Sequence, residues 1–298
     1  MTTSNSQPLG DASPDRTLNE VLGLKEVGEY RFVCDAHEAN NGERAFGGSL
    51  MAASLNAAAR TVTAPRVPTA LQVLFAQGAR LDLPVEYSVT IVQEGKRFSA
   101  RHVRVSQEGR CCMEVNASFQ VPTSGPEQQI DARAQAEPPE ALVATHALGP
   151  EYQTCLERIG FVPGAPYALE SRPVDPRHSI LEGPKPGEPF EYWIRARMRL
   201  GDETADHAAA FAYISDYWAA YTAISPHVQR ASGPMMRPTS LNQTIWFHCP
   251  FRADDWLLAT ETGFRAGGSR GLGIARFHSR SGVLVATVAR ELLMVERS

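Results

Sequence analysis

The sequence contains no apolar run close to the roughly 20 residues that a membrane-spanning helix requires, and it has no long block of basic residues. The formal net charge is −4, from 29 basic and 33 acidic residues. Because phosphate contacts need clustered Lys and Arg, this balance argues against nucleic acid as a partner. The first 16 residues lack the apolar core of a signal peptide, and the last three are not a peroxisomal signal. We therefore expect a cytoplasmic protein with neither nucleic acid nor a membrane as a partner.

Cysteine is also scarce. The five cysteines form no C-x-x-C pair and no cluster with histidine at zinc spacing. Their odd number and spacing indicate reduced thiols rather than a disulfide framework or a structural metal. We expect no metal and no redox cofactor.

Four segments follow one another along the chain. A polar tail at 1–16 is predicted to be disordered, and structured blocks occupy 17–122 and 188–298. The connection between them, 123–187, is rich in proline, which disfavours long helices and central strands. A short helix remains compatible with it, for instance at 152–159.

The two blocks repeat one plan. Each begins with an alanine-rich apolar segment that predicts a helix, at 47–62 and at 205–224. Each continues with four strand-like runs, at 69–79, 85–93, 98–106 and 110–121, and at 241–248, 256–264, 271–277 and 284–295. Matching residues lie 173 positions apart, as in Arg97 and Arg270 or Gly109 and Gly282. This pattern indicates a duplication.

Both predicted helices are apolar on nearly every side. A helix on the outside of a sheet shows a polar face, whereas a helix wrapped by a curved sheet need not. The sequence therefore predicts an α+β fold, a double hotdog, with two antiparallel sheets each wrapped around a central helix. We expect the sheets to join edge to edge with both helices on one side and a cleft between the repeats.

Asp216 is the most informative polar residue. It is the only acidic residue between Asp206 and Asp254, and it falls in the middle of the second predicted helix. Burying a lone carboxylate costs free energy, so a buried carboxylate is expected to have either structural partners or a functional role. Two interpretations stay open: a general base that holds water, or a carboxylate satisfied by structural partners.

Several motifs resemble those of the type II acyl-CoA thioesterases, which are double-hotdog enzymes. They are Ala-Phe-Gly-Gly at 45–48, Gly-Lys-Arg-Phe-Ser-Ala-Arg at 95–101, Asn-Ala-Ser-Phe-Gln at 116–120, Ser-Asp at 215–216, Ser-Leu-Asn-Gln-Thr-Ile-Trp-Phe-His at 240–248 and Gly-Val-Leu-Val-Ala at 282–286. The resemblance covers both blocks, and it implies hydrolysis of fatty acyl-CoA to free acid and CoA.

The resemblance also implies a set of catalytic residues. In the family, an Asp, a Thr or Ser, and a Gln hold the attacking water, and these positions match Asp216, Ser240 and Arg290. The arginine is a departure. Two further departures are Asn242-Gln243, where the family has Asp-His, and Gln72, where a histidine is common.

Arginine at the third position changes the expected chemistry. An amide can both donate to and accept from water, whereas a guanidinium only donates. An ion pair between Arg290 and Asp216 would weaken the base. Alternatively, Arg290 turns aside or stabilises the developing oxyanion. We expect hydrolysis to be retained but modest.

Three further residues are candidates for substrate binding. Gly47 and Gly48 would present backbone amides to the thioester at a helix N-terminus, or simply allow close packing. Arg270 would contact the phosphates of CoA, or lie on a solvated strand face.

Two other functions stay open. A non-catalytic protein that binds acyl-CoA or lipid fits the loss of the family glutamine. A hotdog hydratase or dehydratase would use His227 or His248 as a second acid-base group. Back-to-back packing of hotdog sheets would also permit a homodimer.

Overall fold

The computed structural model describes residues 17–35, 37–40, 44–132, 136–159, 161, 168–218, 221–228 and 236–296. The predicted disordered tail lies outside these residues. None of the helices in these ranges is long and apolar enough to cross a membrane.

The described structure contains five α-helices, three short 3-10 or π-helical segments and twelve strands. The helices are α1 (Leu18–Leu22), α2 (Gly47–Ala59), α3 (Pro150–Arg158), α4 (Thr204–Ser215) and α5 (Tyr221–Val228). The strands of the N-terminal half are β1 (Leu24–Gly28), β2 (Arg31–Cys34), β3 (Val67–Phe75), β4 (Val85–Glu94), β5 (Phe98–Gln107) and β6 (Arg110–Gln120). Those that follow are β7 (Leu169–Pro173), β8 (Pro189–Ala196), β9 (Met236–Phe247), β10 (Leu257–Gly267), β11 (Arg270–Ser279) and β12 (Leu284–Glu296).

All twelve strands form one antiparallel sheet in the order β1-β2-β4-β5-β6-β3-β9-β12-β11-β10-β8-β7. The halves join where β3 pairs with β9, with Gln72 opposite Thr244 and Val73 opposite Gln243. The expected edge-to-edge junction is therefore confirmed. Strands β4, β5 and β6 recur as β10, β11 and β12 at nearly constant spacing, as the duplication predicts.

Helices α2 and α4 pack against each other on one side of the sheet. Their side chains are buried on nearly every side, which explains the missing polar face. Gly48 permits the close approach of the two helices, because an added Cβ would overlap the Tyr213 carbonyl oxygen and the Phe46 ring. The expected pair of sheet-wrapped helices is confirmed.

The second predicted helix, 205–224, is wrong as a single element. Helix α4 ends at Ser215, Asp216 is its C-cap, and a separate helix, α5, begins at Tyr221. Residues 219–220 lie outside the described ranges. Two residues after Asp216, the buried Trp218 side chain stacks on Phe161 and donates a hydrogen bond of 2.7 Å to Ser171 Oγ. Tertiary contacts thus override the helical propensity of this alanine-rich stretch.

Helix α5 lies directly on the sheet. A Cβ added at Gly263 would stand 2.6 Å from the Thr222 carbonyl oxygen, and one at Gly271 would stand 2.9 Å from Ala223 Cβ. These two glycines, on β10 and β11, form a floor without side chains on which the α5 backbone rests. The N-terminal half has no helix at the corresponding place, between α2 and β3.

The proline-rich connection is more structured than a bare linker. The short helix predicted at 152–159 is present as α3. Strand β7 pairs with β8 at the outer edge of the sheet, where a strand containing Pro173 is tolerated. The sheet of the second half therefore begins inside the segment assigned to the linker, and the boundary at 187–188 stays a prediction.

Candidate active site

Four elements converge near the junction of the two halves, where β3 pairs with β9; this junction is called the seam below. They are the C-terminus of α4, the N-terminus of α2, and strands β9 and β12, which pair with each other. Asp216 stands at the end of α4, Ser240 on β9 and Arg290 on β12. The three residues matched to the catalytic positions thus reach one place from three different elements.

The Arg290 guanidinium joins the other two side chains. Its Nη1 forms an ion pair with the Asp216 carboxylate, and its Nη2 donates a hydrogen bond to Ser240 Oγ. Nη1 also donates to the Asp216 carbonyl oxygen at 3.2 Å. The ion pair weighed from the sequence is present, and the alternative in which Arg290 turns aside is wrong.

Both charges of this pair are buried. The side chains of Asp216 and Arg290 are 5% and 7% exposed, so each depends on the other for solvation. A carboxylate at a helix C-terminus also meets the negative end of the helix dipole. Arg290 offsets both costs, because it pairs with the carboxylate and caps the last turn of α4.

A β-bulge turns Ser240 towards Arg290. Asn242 pairs with Glu291 and Ser240 pairs with Leu292, so Leu241 is the extra residue on β9. An extra residue shifts the alternation of side chains by one position. Ser240 consequently faces the helix side of the sheet, as Gln243 does.

The N-terminal half supplies the opposite wall. A Cβ added at Gly47 would lie 2.8 Å from Asp216 Oδ2 and 3.2 Å from the Phe75 ring. The Arg290 guanidinium carbon stands 6.0 Å from the centre of the same ring. Because Gly47 is the first residue of α2, the positive end of that helix faces the Asp216 carboxylate.

Gln243 supports the end of α4 from the neighbouring strand. It is fully buried, pairs directly with Arg290 across the β9–β12 ladder, and donates through Nε2 to Ser215 Oγ at 2.9 Å. Asn242 is exposed and donates to Glu291. Of the two residues that replace the family Asp-His pair, only Gln243 belongs to the site.

Glu261 is a second buried carboxyl group beside the site. It lies on β10 and is 1% exposed, and its Oε1 accepts from the Thr222 amide at 3.0 Å and the Thr222 hydroxyl at 2.9 Å. Burial raises the pKa of Glu261 to about 7, while the Thr222 hydrogen bonds and the Arg290 charge act in the opposite direction. The sequence contained a usable signal for this residue, because a glutamate occupies an inward position in the alternation of Leu257, Ala259 and Gly263.

The structure separates the other candidates from this site. Arg270 is an exposed residue at the start of β11 and pairs with Glu291 at 2.9 Å, on the far side of the sheet from Arg290. Gln72 is exposed on that side as well. His248 is exposed and hydrogen bonds to Thr287 Oγ1 at 2.8 Å, and His227 is exposed at the end of α5.

Fold and site together define a class. The chain is a double-hotdog protein with a buried Asp–Ser–Arg cluster at the seam. A protein of unknown function with a hot dog fold from Alicyclobacillus acidocaldarius superposes with a TM-score of 0.74 at 17% identity, over 94% of this chain and 98% of that one.

The chain belongs to the acyl-CoA thioesterase family, as its motifs predict. The family model of the N-terminal domain matches residues 36–120, and that of the C-terminal domain matches residues 133–294. Acyl-coenzyme A thioesterase 8 of Mus musculus is 33% identical over 95% of this chain and 91% of that protein. Acyl-CoA thioesterase 2 of Haemophilus influenzae is 28% identical over 93% and 96%. The crystal structure of an acyl-CoA thioesterase II from Mycobacterium marinum superposes with a TM-score of 0.76 at 27% identity, over 95% and 99%.

Proposed function

We propose that this protein hydrolyses acyl-CoA thioesters at the cluster of Asp216, Ser240 and Arg290. The observation that carries the proposal is the convergence of these three side chains, from separate elements, at the seam between the halves. Family membership supports the substrate class.

Asp216 is the proposed general base. Its carboxylate takes a proton from a water molecule while the water oxygen attacks the thioester carbonyl carbon, and Ser240 Oγ orients that water. The tetrahedral intermediate then breaks its carbon–sulfur bond. The CoA sulfur leaves and recovers the proton from Asp216, which releases the free acid and regenerates the base.

We assign stabilisation of the oxyanion to two groups. The Arg290 guanidinium offers donors beside Asp216, and the first-turn amides of α2 at Gly47 lie at the positive end of a helix dipole. Gly48 is assigned to packing, because its contacts are with Phe46 and Tyr213. CoA contact by Arg270 stays a prediction for the exposed hairpin.

The ion pair predicts a slow enzyme. A carboxylate held by a guanidinium is a weaker proton acceptor than one that only contacts water, so part of the catalytic power of Asp216 is lost. Arg290 is therefore both a donor to the transition state and a restraint on the base.

Thiol release tests this function. Wild-type protein should release CoA thiol from acyl-CoAs, and Asp216→Asn should lower kcat by at least about a hundredfold, the usual contribution of a general base. Gly267→Ala on the exposed hairpin is a matched control, since a Cβ there meets no atom closer than 3.7 Å. Saturable acyl-CoA binding without thiol release would identify a binding protein instead, and equal rates for wild type and Asp216→Asn would refute the role of Asp216.

A further inference from the structure

Glu261 has no role in the mechanism described above, yet its environment is unusual. A carboxyl group that is fully buried needs compensation, and Glu261 receives it at only one of its two oxygens. Its Oε2 has no hydrogen-bond partner among the residues that the structure describes. The Nε of Arg290 is likewise without a partner within the described ranges.

The two groups lie on the same face of the sheet, and the α5 backbone covers the β10 end of the row of residues between them. Arg290 on β12 pairs with Gly273 on β11, and Gly273 pairs with Gly263 on β10. Paired residues face the same side of a sheet, so this row carries no side chain between Arg290 and β10. Glu261 stands one inward position along β10 from Gly263, at the margin of the row. The positive charge of Arg290 opposes the rise in the pKa of Glu261 that burial causes.

We propose that Glu261 is a positioning residue of the hydrolytic site: as a carboxylate it shares the charge of Arg290 and so frees Asp216 to act as the base. This inference rests on the proposed function. It explains how a site with arginine at its third position works. When Asp216 is the only carboxylate near Arg290, the guanidinium charge acts on Asp216 alone and weakens it as a base. When Glu261 is also a carboxylate, the same charge acts on both groups, and Asp216 is a better proton acceptor.

Few charged groups surround Glu261. The groups that interact electrostatically with Glu261 are Arg290 on β12, Tyr192 on β8 and Tyr221 on α5. Burial raises the pKa of both tyrosines, so both are neutral near pH 7. Since the pKa of Glu261 is raised to about 7, its charge changes in the neutral range. The Asp216–Arg290 pair therefore gains or loses a second carboxylate in the neutral pH range.

A double-mutant cycle with pH profiles tests the proposal. Thiol release is measured from about pH 5 to 9 for wild type, Glu261→Gln, Arg290→Gln and the double variant. Glutamine keeps an oxygen for the two Thr222 donors, so α5 stays anchored, and tryptophan fluorescence checks the fold. In wild type, kcat should rise with a midpoint near pH 7. Glu261→Gln should lack this rise and lose about tenfold in kcat at pH 8, one unit of differential interaction.

The Arg290→Gln background decides between coupling and a structural role. With no guanidinium to share, Glu261→Gln should change kcat less than about twofold there. An equal loss with and without Arg290, or an unchanged pH profile in Glu261→Gln, overturns the proposal. Thr222→Val is the matched control, because it removes one donor and should move the rise to higher pH without abolishing it.

A measurement without catalysis separates this proposal from the function on which it rests. In protein labelled with ¹³C at the glutamate carboxyl, the signal absent from Glu261→Gln should titrate near pH 7 in wild type and at higher pH in Arg290→Gln. The same midpoint in both proteins overturns the proposal even if wild type hydrolyses acyl-CoA. Absence of thiol release in wild type refutes the proposed function, while the titration still decides the coupling.

Discussion

At the residue scale, Arg290 makes three structural interactions. It neutralises a buried carboxylate, it caps helix α4 through the Asp216 carbonyl, and it holds Ser240. Removing one partner of a buried ion pair leaves the other charge uncompensated, which typically costs about 3–5 kcal/mol. Stability and catalysis therefore place opposite demands on this position.

Arg290→Gln should raise kcat and lower stability. Glutamine restores a group that accepts from water as well as donates to it, and it releases the Asp216 carboxylate. We expect faster thiol release together with a free energy of unfolding lower by a few kcal/mol, measured by urea denaturation. Arg290→Lys is the control, since it keeps the charge. If Arg290→Gln were as slow as wild type, the guanidinium would not restrain the base.

Glu261 should make the protein less stable at higher pH. Its folded-state pKa of about 7 exceeds the ordinary value of 4.5, so the folded state holds the proton more tightly than the unfolded state. The resulting stability is complete below pH 4.5 and is lost as the pH rises through 7. The shift corresponds to about 3 kcal/mol.

The comparison of wild type with Glu261→Gln isolates this effect. The stability of the variant relative to wild type should grow by about 3 kcal/mol between pH 4.5 and 7 and stay constant above 7. Urea denaturation at pH 4.5 and pH 8 measures it. A constant difference at both pH values would mean that Glu261 titrates normally.

At the scale of elements, α5 depends on the glycine floor beneath it. The helix is held to β10 through the two Thr222 hydrogen bonds, and its backbone touches the strand at Gly263. It also lies in the chain segment that links Asp216 to Ser240. Since Asp216 precedes α5 and Ser240 follows it, a displacement of α5 would shift both of these residues.

Gly263→Ala tests this dependence. The added methyl group would stand 2.6 Å from the Thr222 carbonyl oxygen, so α5 must move. We expect a loss of about 1–3 kcal/mol in stability, as in overpacked cores, and a lower kcat. Gly267→Ala, four residues further along the same strand, where an added Cβ meets no atom closer than 3.7 Å, should change stability by less than about 0.5 kcal/mol. Equal effects of the two substitutions would show that the floor is not needed.

Strong periodicity made most elements predictable. The eight strands with clear alternation and helix α2 were all found, with ends displaced by a few residues. Strands β1, β2, β7 and β8 were missed. Three of them have only four or five residues, and β1 buries only its first residue, while β8 directly follows the proline-rich segment assigned to the linker. The end of α4 was missed because the partners that stop the helix, Arg290 and Ser171, lie far away in sequence.

The site was predictable only in part. The resemblance supplied Asp216, Ser240 and Arg290, whereas alternation counted back from Gln243 would have turned Ser240 to the wrong face. The bulge at Leu241 turns the Ser240 side chain to the helix side of the sheet, and nothing in the sequence of this stretch indicates a bulge. The pairing of Arg290 with Asp216 depends on strand order, which single-sequence periodicity does not contain. Glu261, by contrast, stood at an inward position of a predicted strand and was overlooked.

At the scale of the whole molecule, the two halves share one core. The sheet is continuous through β3 and β9, α2 packs on α4, and Tyr213 of α4 donates a hydrogen bond to Glu38 from the N-terminal half. The buried pair of Asp216 and Arg290 is sealed by Gly47 and Phe75 from that half. Neither half completes the site by itself, so we expect the halves to unfold together.

The distribution of tryptophan makes this cooperativity measurable. All four tryptophans lie in the C-terminal half, the first at Trp193, whereas the buried thiol of Cys112 reports on the N-terminal half. Phe119→Ala in β6 should cost about 3–5 kcal/mol, because the ring is 1% exposed. It should shift the urea midpoint of tryptophan fluorescence and that of Cys112 reactivity by the same amount. His102→Ala, on the neighbouring strand and partly exposed, is the control with little expected effect. A shift in thiol reactivity alone would show that the halves unfold independently, and the shared seam would then contribute no coupling.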